Sequence, residues 1–508
     1  MGKVQRVRQK KRNGMVYVYD RTPYYDPSIK NTKYHYSYVG KEDNEEVKRV
    51  RSTLPKRSLI YGPFIPLLLI IQELGLQDIL MAHLTPDETN RVMALSICKI
   101  VRPLPMSSIQ AWYGGTYLSI AMPANLTSQR NSELMEKIGT SDMYRIFSKK
   151  LIERLHPGDS LLYDLTTIPS YSTSSIFEYG HAKDHPDLEQ INLSMVIEKE
   201  RKVPIYFELY PGSIPDVVTL ERTVKYLKPM ILSISLILDR GFFSLDNMNF
   251  MKDMDYIIAA SLIRKEIKSV FSKHFRSVDR ADNVIIYEGD PIFSQHVAFK
   301  MDSLELQGYF YHDPKREGEE RSNFHRKLSE RRRAIERLDV RRGIKKRIEN
   351  IAGTYMRYIS YEIKDSHIIT KGKDNAISAY ENRMGRFLLV FRGNYSKMEC
   401  LTAYRQRDAI EKAFRILKTD MDVFPLRDHK ESTIRGEMFI FFLSTIIRSA
   451  LVRGMESTKL NEKYSLERMF LELEKLHMIE DQNGKFIELE RTKKQKDILE
   501  SLGKVSWW

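Results

Sequence analysis

Residues 160–165 read SLLYDL, a short apolar run that contains one carboxylate, Asp164. The length of the run and its three leucines predict a buried β-strand. A carboxylate inside a buried strand costs free energy unless it meets a hydrogen-bonding partner or a cation. The stretch therefore predicts a strand that carries a functional acid.

Strands and helices alternate after this run. The predicted strands are Ile191–Ile197 and Val203–Leu209, which a charged turn joins as a hairpin, then Ile234–Leu238 and Tyr256–Ala260. The predicted helices are Asp216–Leu227 and a segment that begins at Ser244. A second acid, Asp239, directly follows Ile234–Leu238. This order of elements, with acids in the first and fourth strands, is that of the ribonuclease-H-like fold, so the expected fold class is α/β with a ribonuclease-H-like catalytic core.

Such a core needs a third acid from a later helix, and residues 404–418, YRQRDAIEKAFRILK, supply Glu411. At about 100° per residue, Tyr404, Arg407, Glu411 and Lys418 lie within one arc of about 60°. An apolar stripe on the same predicted helix consists of Ile410, Phe414 and Leu417. The helix is therefore expected to pack on the core while one edge presents a hydroxyl, two cations and an acid.

Three carboxylates that are brought together repel one another unless they hold cations. Asp164, Asp239 and Glu411 are therefore predicted to bind two Mg²⁺ ions about 3.5–4 Å apart, with Mn²⁺ able to substitute. Such a site activates a water or a 3′-hydroxyl for in-line attack on a phosphodiester. The other three residues of the arc are predicted to grip phosphates of the same strand. Taken singly, each acid could equally be a cap, a turn residue or part of a solvated helix face.

The segment at 404–418 resembles the Tyr-x2-Arg-x3-Glu-x6-Lys signature of the DDE insertion-sequence transposases, in the branch called the IS-four-like superfamily, with no spacing error. LLYDLTT at 161–167 and LILDRGFFS at 236–244 look like the family's first-acid and second-acid strands. YPGSIPDVVTL at 210–220 looks like its loop before the first helix. The resemblance covers about residues 160–451.

The resemblance implies a cut-and-paste DNA transposase that cleaves transposon ends and transfers the 3′-hydroxyl into target DNA. The implied metal ligands are Asp164, Asp239 and Glu411, and the implied DNA contacts are Tyr404, Arg407, Lys418 and Arg240. The implied partners are double-stranded terminal inverted repeats and target DNA, bound by a homodimer in the prokaryotic cytoplasm, at the nucleoid. Two alternatives stay open: a metal-dependent nuclease of the same fold without strand transfer, and a catalytically silent DNA-binding protein derived from a transposase.

Charge points to a polyanionic partner. The chain carries 82 Lys and Arg against 67 Asp and Glu, a formal net charge of +15. Residues 321–350 hold 12 cations and 4 acids, which gives a net charge of 12 − 4 = +8. Clustering of this kind is typical of nucleic-acid binding. The alternative is a solvated helix, since four apolar residues at helical spacing give the segment a core face: Phe324, Leu328, Ile335 and Leu338.

Cysteine content and apolar runs exclude other classes of protein. The only cysteines, Cys98 and Cys400, are far apart, so neither a disulfide framework nor a cysteine-ligated zinc site is expected. The apolar runs Phe64–Ile71 and Met438–Ile447 are shorter than the roughly 18 residues that suggest a bilayer span. Both runs are therefore predicted to lie in protein cores, and no membrane partner is expected.

The chain is predicted to have six segments. They are a basic arm with a β-hairpin (1–57), a helical DNA-binding region (58–157), the first part of the core (158–262), a β-rich insertion (263–398), the second part of the core with the third-acid helix (399–452) and a charged helical tail (453–508). For the helical region, a purely structural bundle stays open as the alternative. The hairpin strands are expected near Val16–Tyr19 and Tyr34–Val39. Thr85 predicts a helix start, because Glu88 can close a capping box. Two further helices are predicted at 127–138 and 141–155.

The insertion is predicted to contain strands at Asn283–Tyr287, Tyr355–Ile363 and Arg386–Phe391. Relatives that use a hairpin intermediate can stack a flipped base on an aromatic residue of this insertion, often Trp. The insertion has no Trp, so the candidates for that role are Tyr380, Phe387 and Phe391.

Overall fold

The computed structural model describes every residue except 1–3, 12–13, 27–30, 44–45, 50–54, 172–173, 175, 179–187, 215, 421–429 and 508. The fold is mixed α/β, about 47% helical and 27% strand, with one large mixed sheet. The strands are β1 (Gln5–Lys10), β2 (Val16–Asp26), β3 (Asn31–Asp43), β4 (Glu46–Arg49), β5 (Arg57–Ile60), β6 (Ser160–Pro169), β7 (Gln190–Glu198), β8 (Val203–Pro211), β9 (Ser235–Leu238), β10 (Asp255–Ala260), β11 (Val284–Tyr287), β12 (Asp290–Met301), β13 (Leu304–His312), β14 (Ile359–Lys364), β15 (His367–Gly372), β16 (Arg386–Arg392), β17 (His477–Glu480) and β18 (Phe486–Glu488).

The helices are α1 (Phe64–Leu74), α2 (Leu76–Met81), α3 (Pro86–Val101), α4 (Met106–Gly114), α5 (Leu118–Ala121), α6 (Ser128–Thr140), α7 (Met143–Leu155), α8 (Asp216–Leu227), α9 (Leu245–Phe250), α10 (Lys265–His274), α11 (Pro314–Glu336), α12 (Ile344–Ala352), α13 (Asp374–Glu381), α14 (Lys397–Arg405), α15 (Asp408–Arg415), α16 (Glu431–Ser457), α17 (Leu466–Leu473) and α18 (Lys493–Leu502). The chain divides into two compact units. The small unit consists of Met1–Ile65, Ala111–Ala121 and Tyr464–Ser501, and the large unit of Pro66–Gln110, Met122–Lys463 and Leu502–Trp508.

The small unit contains two antiparallel sheets. The first has the order β1-β2-β3-β4, and its central strands contain the predicted hairpin segments. The second has the order β18-β17-β5. The expectation of a purely helical C-terminal tail is therefore wrong for β17 and β18. β17 pairs with β5, a partner more than 400 residues earlier in the chain, and local sequence patterns do not reveal such a pairing.

The large unit is built on a nine-stranded sheet with the order β11-β12-β13-β16-β10-β9-β6-β7-β8. β6, β7 and β8 form an antiparallel meander, which confirms the predicted hairpin. β9 and β10 run parallel to β6. Because β6 and β9 are parallel neighbours, their carboxyl ends lie at the same edge of the sheet.

The long region between the second and third acids extends this same sheet. β16, β13, β12 and β11 follow β10 in antiparallel pairs, which confirms the predicted strands near 283–287 and 386–391. The predicted strand Tyr355–Ile363 is wrong in its first half, because a 3₁₀ helix covers Gly353–Tyr358. Tyr355 and Tyr358 pack against the ring of Phe324, at 5.7 and 5.0 Å between centroids, so aromatic packing replaces strand pairing there.

The basic segment forms α11 and α12, which have a small core of their own. Phe324, Leu328 and Ile335 are buried in it, and Leu338 packs against it while partly exposed. The predicted core face is therefore confirmed. Lys345 and Lys346 of α12 remain exposed, so the two helices combine an apolar inner face with a cationic outer one.

The helical region contains the predicted start of α3. The Thr85 hydroxyl accepts the Glu88 N–H at 3.3 Å, and the Glu88 carboxylate accepts the Thr85 N–H at 3.0 Å, which is a complete capping box. α6 and α7 correspond to the helices predicted at 127–138 and 141–155. On the edge strand β8, the buried carboxylate of Glu208 accepts hydrogen bonds from Tyr144 and from Arg145 at 2.9 Å, which ties α7 to the sheet.

Helix α16 is long and apolar enough to cross a membrane by length and composition alone. However, 83% of its apolar window is buried inside the protein, as expected for a core helix. Its neighbour α6 approaches closely at Gly139 and Gly436, where an added Cβ would collide with the facing backbone. Trp507 is only 2% exposed and lies against Gly454 of the same helix.

Candidate active site

Two parallel strands bring the first two acids together. The pairing of β6 with β9 ends at Leu162 and Ile237, and Asp164 and Asp239 each lie two residues further along. The side chain of Asp164 is 17% exposed and that of Asp239 is 34% exposed. The Leu165 N–H donates to Oδ1 of Asp164 at 2.9 Å, so the second oxygen, Oδ2, remains for another donor.

The segment that carries the third acid is not the single helix predicted for residues 404–418. Helix α14 ends at Arg405, α15 begins at Asp408, and a π-helical turn covers Ile416–Asp420. Arg407 lies in the break with φ −57° and ψ −20°, so the backbone stays right-handed. The hydrogen bonds there span three residues in place of four, as from the Arg407 N–H to the Tyr404 carbonyl at 3.1 Å. A projection of 100° per residue assumes a continuous helix and could not reveal this break.

The guanidinium group of Arg407 lies at the centre of the three acids. Its Nη1 is 2.8 Å from Oδ2 of Asp164, and its Nη2 is 3.7 Å from Oδ1 of Asp239. The same Nη2 forms an ion pair with Glu411, one helical turn away. The Arg407 side chain is only 10% exposed, so water screens these pairs weakly. The three acids predicted from the sequence are therefore brought together around a cation of the protein itself.

Tyr404 completes this group. Its hydroxyl donates to Oδ1 of Asp239 at 3.4 Å, and the Arg407 guanidinium lies 5.9 Å from the centre of its ring. Burial, together with the Asp239 carboxylate, raises the pKa of Tyr404 to about 12. The phenol is therefore protonated at neutral pH and acts as a donor.

The protonation states of Asp164 and Arg407, the two most buried charged groups of the site, depend on each other. Burial raises the pKa of Asp164 to about 6, while Arg407 acts in the opposite direction. Burial by itself lowers the pKa of Arg407, but the carboxylates of Asp164 and Asp239 outweigh this effect, and its pKa is raised. The guanidinium therefore stays charged, and the pKa of Asp164 lies nearer to neutral pH than that of an ordinary aspartate.

A group of three carboxylates is a candidate site for divalent metal ions. Within the described part of the chain, no group of three or more His, Cys, Asp or Glu side chains is arranged to hold a metal ion as it stands. The donor chemistry nevertheless fits, because three carboxylates reach one cationic group and carboxylate oxygen is the ligand that Mg²⁺ and Mn²⁺ prefer. Asp164, Asp239 and Glu411 are thus the residues that would hold such ions.

The two remaining residues predicted to contact DNA lie on the elements that follow the second and third acids. Arg240 is exposed on the 3₁₀ turn Arg240–Phe242 that follows Asp239. Lys418 is half-buried on the π-helical turn after α15. Their contacts with phosphates stay predictions.

The aromatic candidates for base stacking differ in exposure. Phe391 is 4% exposed and stacks on Tyr309 at 4.9 Å between ring centres, so its ring is already covered. Phe387 stacks on Tyr311 at 5.0 Å. Tyr380 is 37% exposed and is the candidate whose ring is most open to solvent.

The central position of Arg407 was not predicted from the sequence, which indicated a phosphate contact. The spacing of four residues between Arg407 and Glu411 does predict an ion pair on a helix. The contacts of Arg407 with Asp164 and Asp239 join residues 243 and 168 positions apart (407 − 164 and 407 − 239), and only the folded chain brings them together.

Comparison with known proteins identifies the family of the chain. The family described as "Transposase DDE domain" matches residues 156–447, which is 292 of the 508 residues and includes all three acids. A solved piggyBac transposase synaptic complex with hairpin DNA is similar at 11% sequence identity and a TM-score of 0.39, over 82% of this chain and 80% of that chain. No curated protein matches the sequence. Since the family match covers more than half of the chain, the protein belongs to the DDE-domain transposases.

Proposed function

We propose that this transposase carries out cut-and-paste transposition with a ribonuclease-H-like core of the IS-four-like branch. The core would comprise β6 to β10. Their order, β8-β7-β6-β9-β10, with the first three strands antiparallel and the last two parallel to β6, supports this assignment. The unbroken Tyr-x2-Arg-x3-Glu-x6-Lys spacing at residues 404–418 supports the branch.

The observation that carries the proposal is the convergence of Asp164, Asp239 and Glu411 on the Arg407 guanidinium. Isolated surface acids do not meet in this way, because like charges repel and only a shared cation offsets the repulsion. We propose that the three acids hold two Mg²⁺ ions, with Mn²⁺ as a substitute. When bound, such ions would activate the attacking water or 3′-hydroxyl and stabilise the leaving oxygen.

The surrounding side chains would position the DNA strand. The protonated Tyr404 hydroxyl orients Asp239 through their hydrogen bond. Arg407 holds the acids close together when no metal is bound, and it would turn to a DNA phosphate once metal charge replaces its own. Arg240 and Lys418 would bind phosphates of the bound DNA.

Binding of transposon ends needs a larger surface than cleavage does. The exposed cations of α11 and α12 are proposed to hold terminal-repeat DNA, and a homodimer is proposed to hold two ends together, in the prokaryotic cytoplasm. A transposase must retain its cleaved end until target DNA arrives, whereas a nuclease gains nothing from retention. Retention of the cleaved end and its joining to target DNA therefore distinguish a transposase from a nuclease of the same fold.

The experiment uses the purified full chain with Mg²⁺, a pre-cleaved copy of its element's end and a supercoiled plasmid. We expect the 3′-hydroxyl end to be joined to the plasmid. Ca²⁺ should support assembly but little joining, because its looser coordination suits the catalytic geometry poorly. Asp164→Asn, Asp239→Asn and Glu411→Gln should each abolish cleavage while DNA binding persists.

Two results would redirect the assignment. Efficient cutting without joined product, while paired ends assemble, would make the protein a nuclease. End binding without cutting by the wild-type protein would make it a silent DNA-binding relative. Near-normal cleavage by one of the three variants would remove that residue from the metal site.

A further inference from the structure

One face of the small unit's β1-β2-β3-β4 sheet is covered with tyrosines. Residues that are directly opposite each other in an antiparallel pair point to the same face. Tyr19 is opposite Tyr38, and Arg21 is opposite Tyr36. Tyr17 is opposite Lys41. With Tyr34, which the Arg21 guanidinium covers, these residues form what we call the tyrosine face: Tyr17, Tyr19, Tyr34, Tyr36, Tyr38, Arg21 and Lys41.

The rings of the tyrosine face are open to solvent. Tyr34, Tyr36 and Tyr38 are 41, 45 and 42% exposed, although large aromatic side chains are usually buried more deeply. They occupy alternate positions of β3, which separates them by about 6.6 Å at roughly 3.3 Å per residue. Each ring can therefore contact a different planar group.

Cations are placed among these rings. The Arg21 guanidinium lies 4.1 Å from the centre of the Tyr34 ring, and the Lys41 ammonium lies 5.6 Å from the centre of the Tyr17 ring. Arg21 donates from Nη2 to Gln5 at 2.8 Å, and its buried Nε has no hydrogen-bond partner in the described structure. The face thus alternates flat aromatic surface with positive charge.

Acids lie on the opposite face of the sheet. Among the side chains that the structure describes in these strands, each acid forms an ion pair there. The pairs are Arg6 with Asp20 at 2.9 Å, Lys33 with Asp26 at 2.8 Å and Arg8 with Glu42 at 3.0 Å. This arrangement neutralises the opposite face, whereas the described side chains of the tyrosine face include cations and no acid.

We propose that the tyrosine face binds single-stranded DNA, with tyrosine rings stacked on unpaired bases and with Arg21 and Lys41 at phosphates. Interleaved rings and cations suit this partner, because stacking needs exposed base faces and phosphates need positive charge. Base pairs in a duplex hide those faces within the stack. The proposal goes beyond cleavage and joining, and it does not depend on the acids of the active site.

The main test measures binding of the full chain to a fluorescent oligothymidylate by anisotropy, in EDTA so that no cleavage occurs. A duplex of equal length is the competitor. Tyr34→Ala and Tyr36→Ala should each weaken binding about tenfold or more, whereas Tyr36→Phe, which keeps the ring, should bind like the wild type. Tyr24→Ala is the matched control, because Tyr24 is 50% exposed on the opposite face of the same sheet.

A second measurement does not depend on the folding of variants. An oligonucleotide that contains bromodeoxyuridine is photo-crosslinked to the wild-type protein, which is then digested with trypsin. We expect the crosslink in the peptide 34–41, which contains Tyr34, Tyr36 and Tyr38.

Three outcomes would overturn the proposal. They are equal losses of affinity in the Tyr24 and Tyr36 alanine variants, displacement of oligothymidylate by duplex DNA at equal concentration, and crosslinks that avoid residues 34–41. A change of oligomeric state in Tyr36→Ala with unchanged oligothymidylate affinity would assign the face to contact between copies instead.

Discussion

At the scale of single residues, Arg407 replaces the charge that a metal ion would bring. Its guanidinium contacts three carboxylates, and the side chains of Arg407 and Asp164 are both less than 20% exposed. Removing one partner of a buried ion pair leaves the others uncompensated, which costs more than the pair contributed. Metal ions and Arg407 should therefore compete for the same acids.

We predict that Arg407→Ala destabilises the metal-free protein by about 2–3 kcal/mol and strengthens Mg²⁺ binding by about tenfold. Chemical unfolding in EDTA measures the first effect and calorimetric titration measures the second. Lys412→Ala is the control, because Lys412 pairs with Asp408 at an exposed position of α15. Unchanged Mg²⁺ affinity in Arg407→Ala would show that the guanidinium does not compete with metal.

A second prediction concerns the pH dependence of stability in EDTA. Burial raises the pKa of Asp164 to about 6, while an unfolded Asp titrates near pH 4. Between these values the native state binds more protons than the unfolded state, so stability falls as the pH rises. Relative to Asp164→Asn, the wild type should lose up to about 2–3 kcal/mol from pH 4 to pH 6 and then level off.

Unfolding midpoints of both proteins across this range provide the measurement. Asp408→Asn, which removes an exposed carboxylate from the same segment, is the control and should follow the wild type. A difference between wild type and Asp164→Asn that stays constant from pH 4 to pH 6 would contradict the prediction.

At the scale of elements, two glycines allow α6 and α16 to pack closely. A Cβ on Gly436 would meet backbone atoms of Met135, and a Cβ on Gly139 would meet backbone atoms of Ser432. Backbone cannot rotate away as a side chain can, so the helices would have to separate. In the same helix α16, every residue from Met438 to Ile447 is buried.

We predict that Gly436→Ala destabilises the protein by about 2–3 kcal/mol, because the added methyl group forces the two helices apart. Gly318→Ala is the matched control, since Gly318 lies within helix α11 with no atom within 4 Å of an added Cβ. That substitution should stabilise by about 0.5–1 kcal/mol through helix propensity. Urea unfolding of both variants distinguishes these outcomes, and equal midpoints would contradict the close helix contact.

At the scale of the whole molecule, the net charge of +15 is unevenly distributed. The helices α11 and α12 concentrate cations, and several of them have acid partners, such as Arg326 with Glu330 at 3.0 Å. Lys345 and Lys346 have no ion pair within the part of the chain that the structure describes. Unpaired exposed cations are the ones free to neutralise phosphates.

We predict that Lys345→Ala combined with Lys346→Ala weakens duplex DNA binding and lowers the slope of log affinity against log salt by about 1–2. Each lost phosphate contact lowers the number of counterions that binding releases, and the slope measures that number. The double control Lys300→Ala with Lys364→Ala removes exposed cations that already pair with Glu305 and Glu362. An identical slope in the two double variants would exclude α12 from DNA contact.

The sequence by itself determined the features that depend on neighbouring residues. Short apolar runs predicted the strands that became β6 to β10, the Thr85 capping box predicted the start of α3, and helical spacing predicted the core face of α11. The three acids were also predicted from the sequence, since each stands at a recognisable place on a local element. Local backbone preferences and side-chain periodicity act over a few residues, and a sequence displays them directly.

Only the tertiary structure decided which distant residues meet. The guanidinium of Arg407 lies among the three acids because two parallel strands and the break between α14 and α15 aim all four side chains at one point. The pairing of β17 with β5, the extension of the sheet by β16 and the segregation of acids from the tyrosine face have the same origin. Such contacts depend on chain closure over tens to hundreds of residues and on burial of charge, and no local pattern encodes either of them.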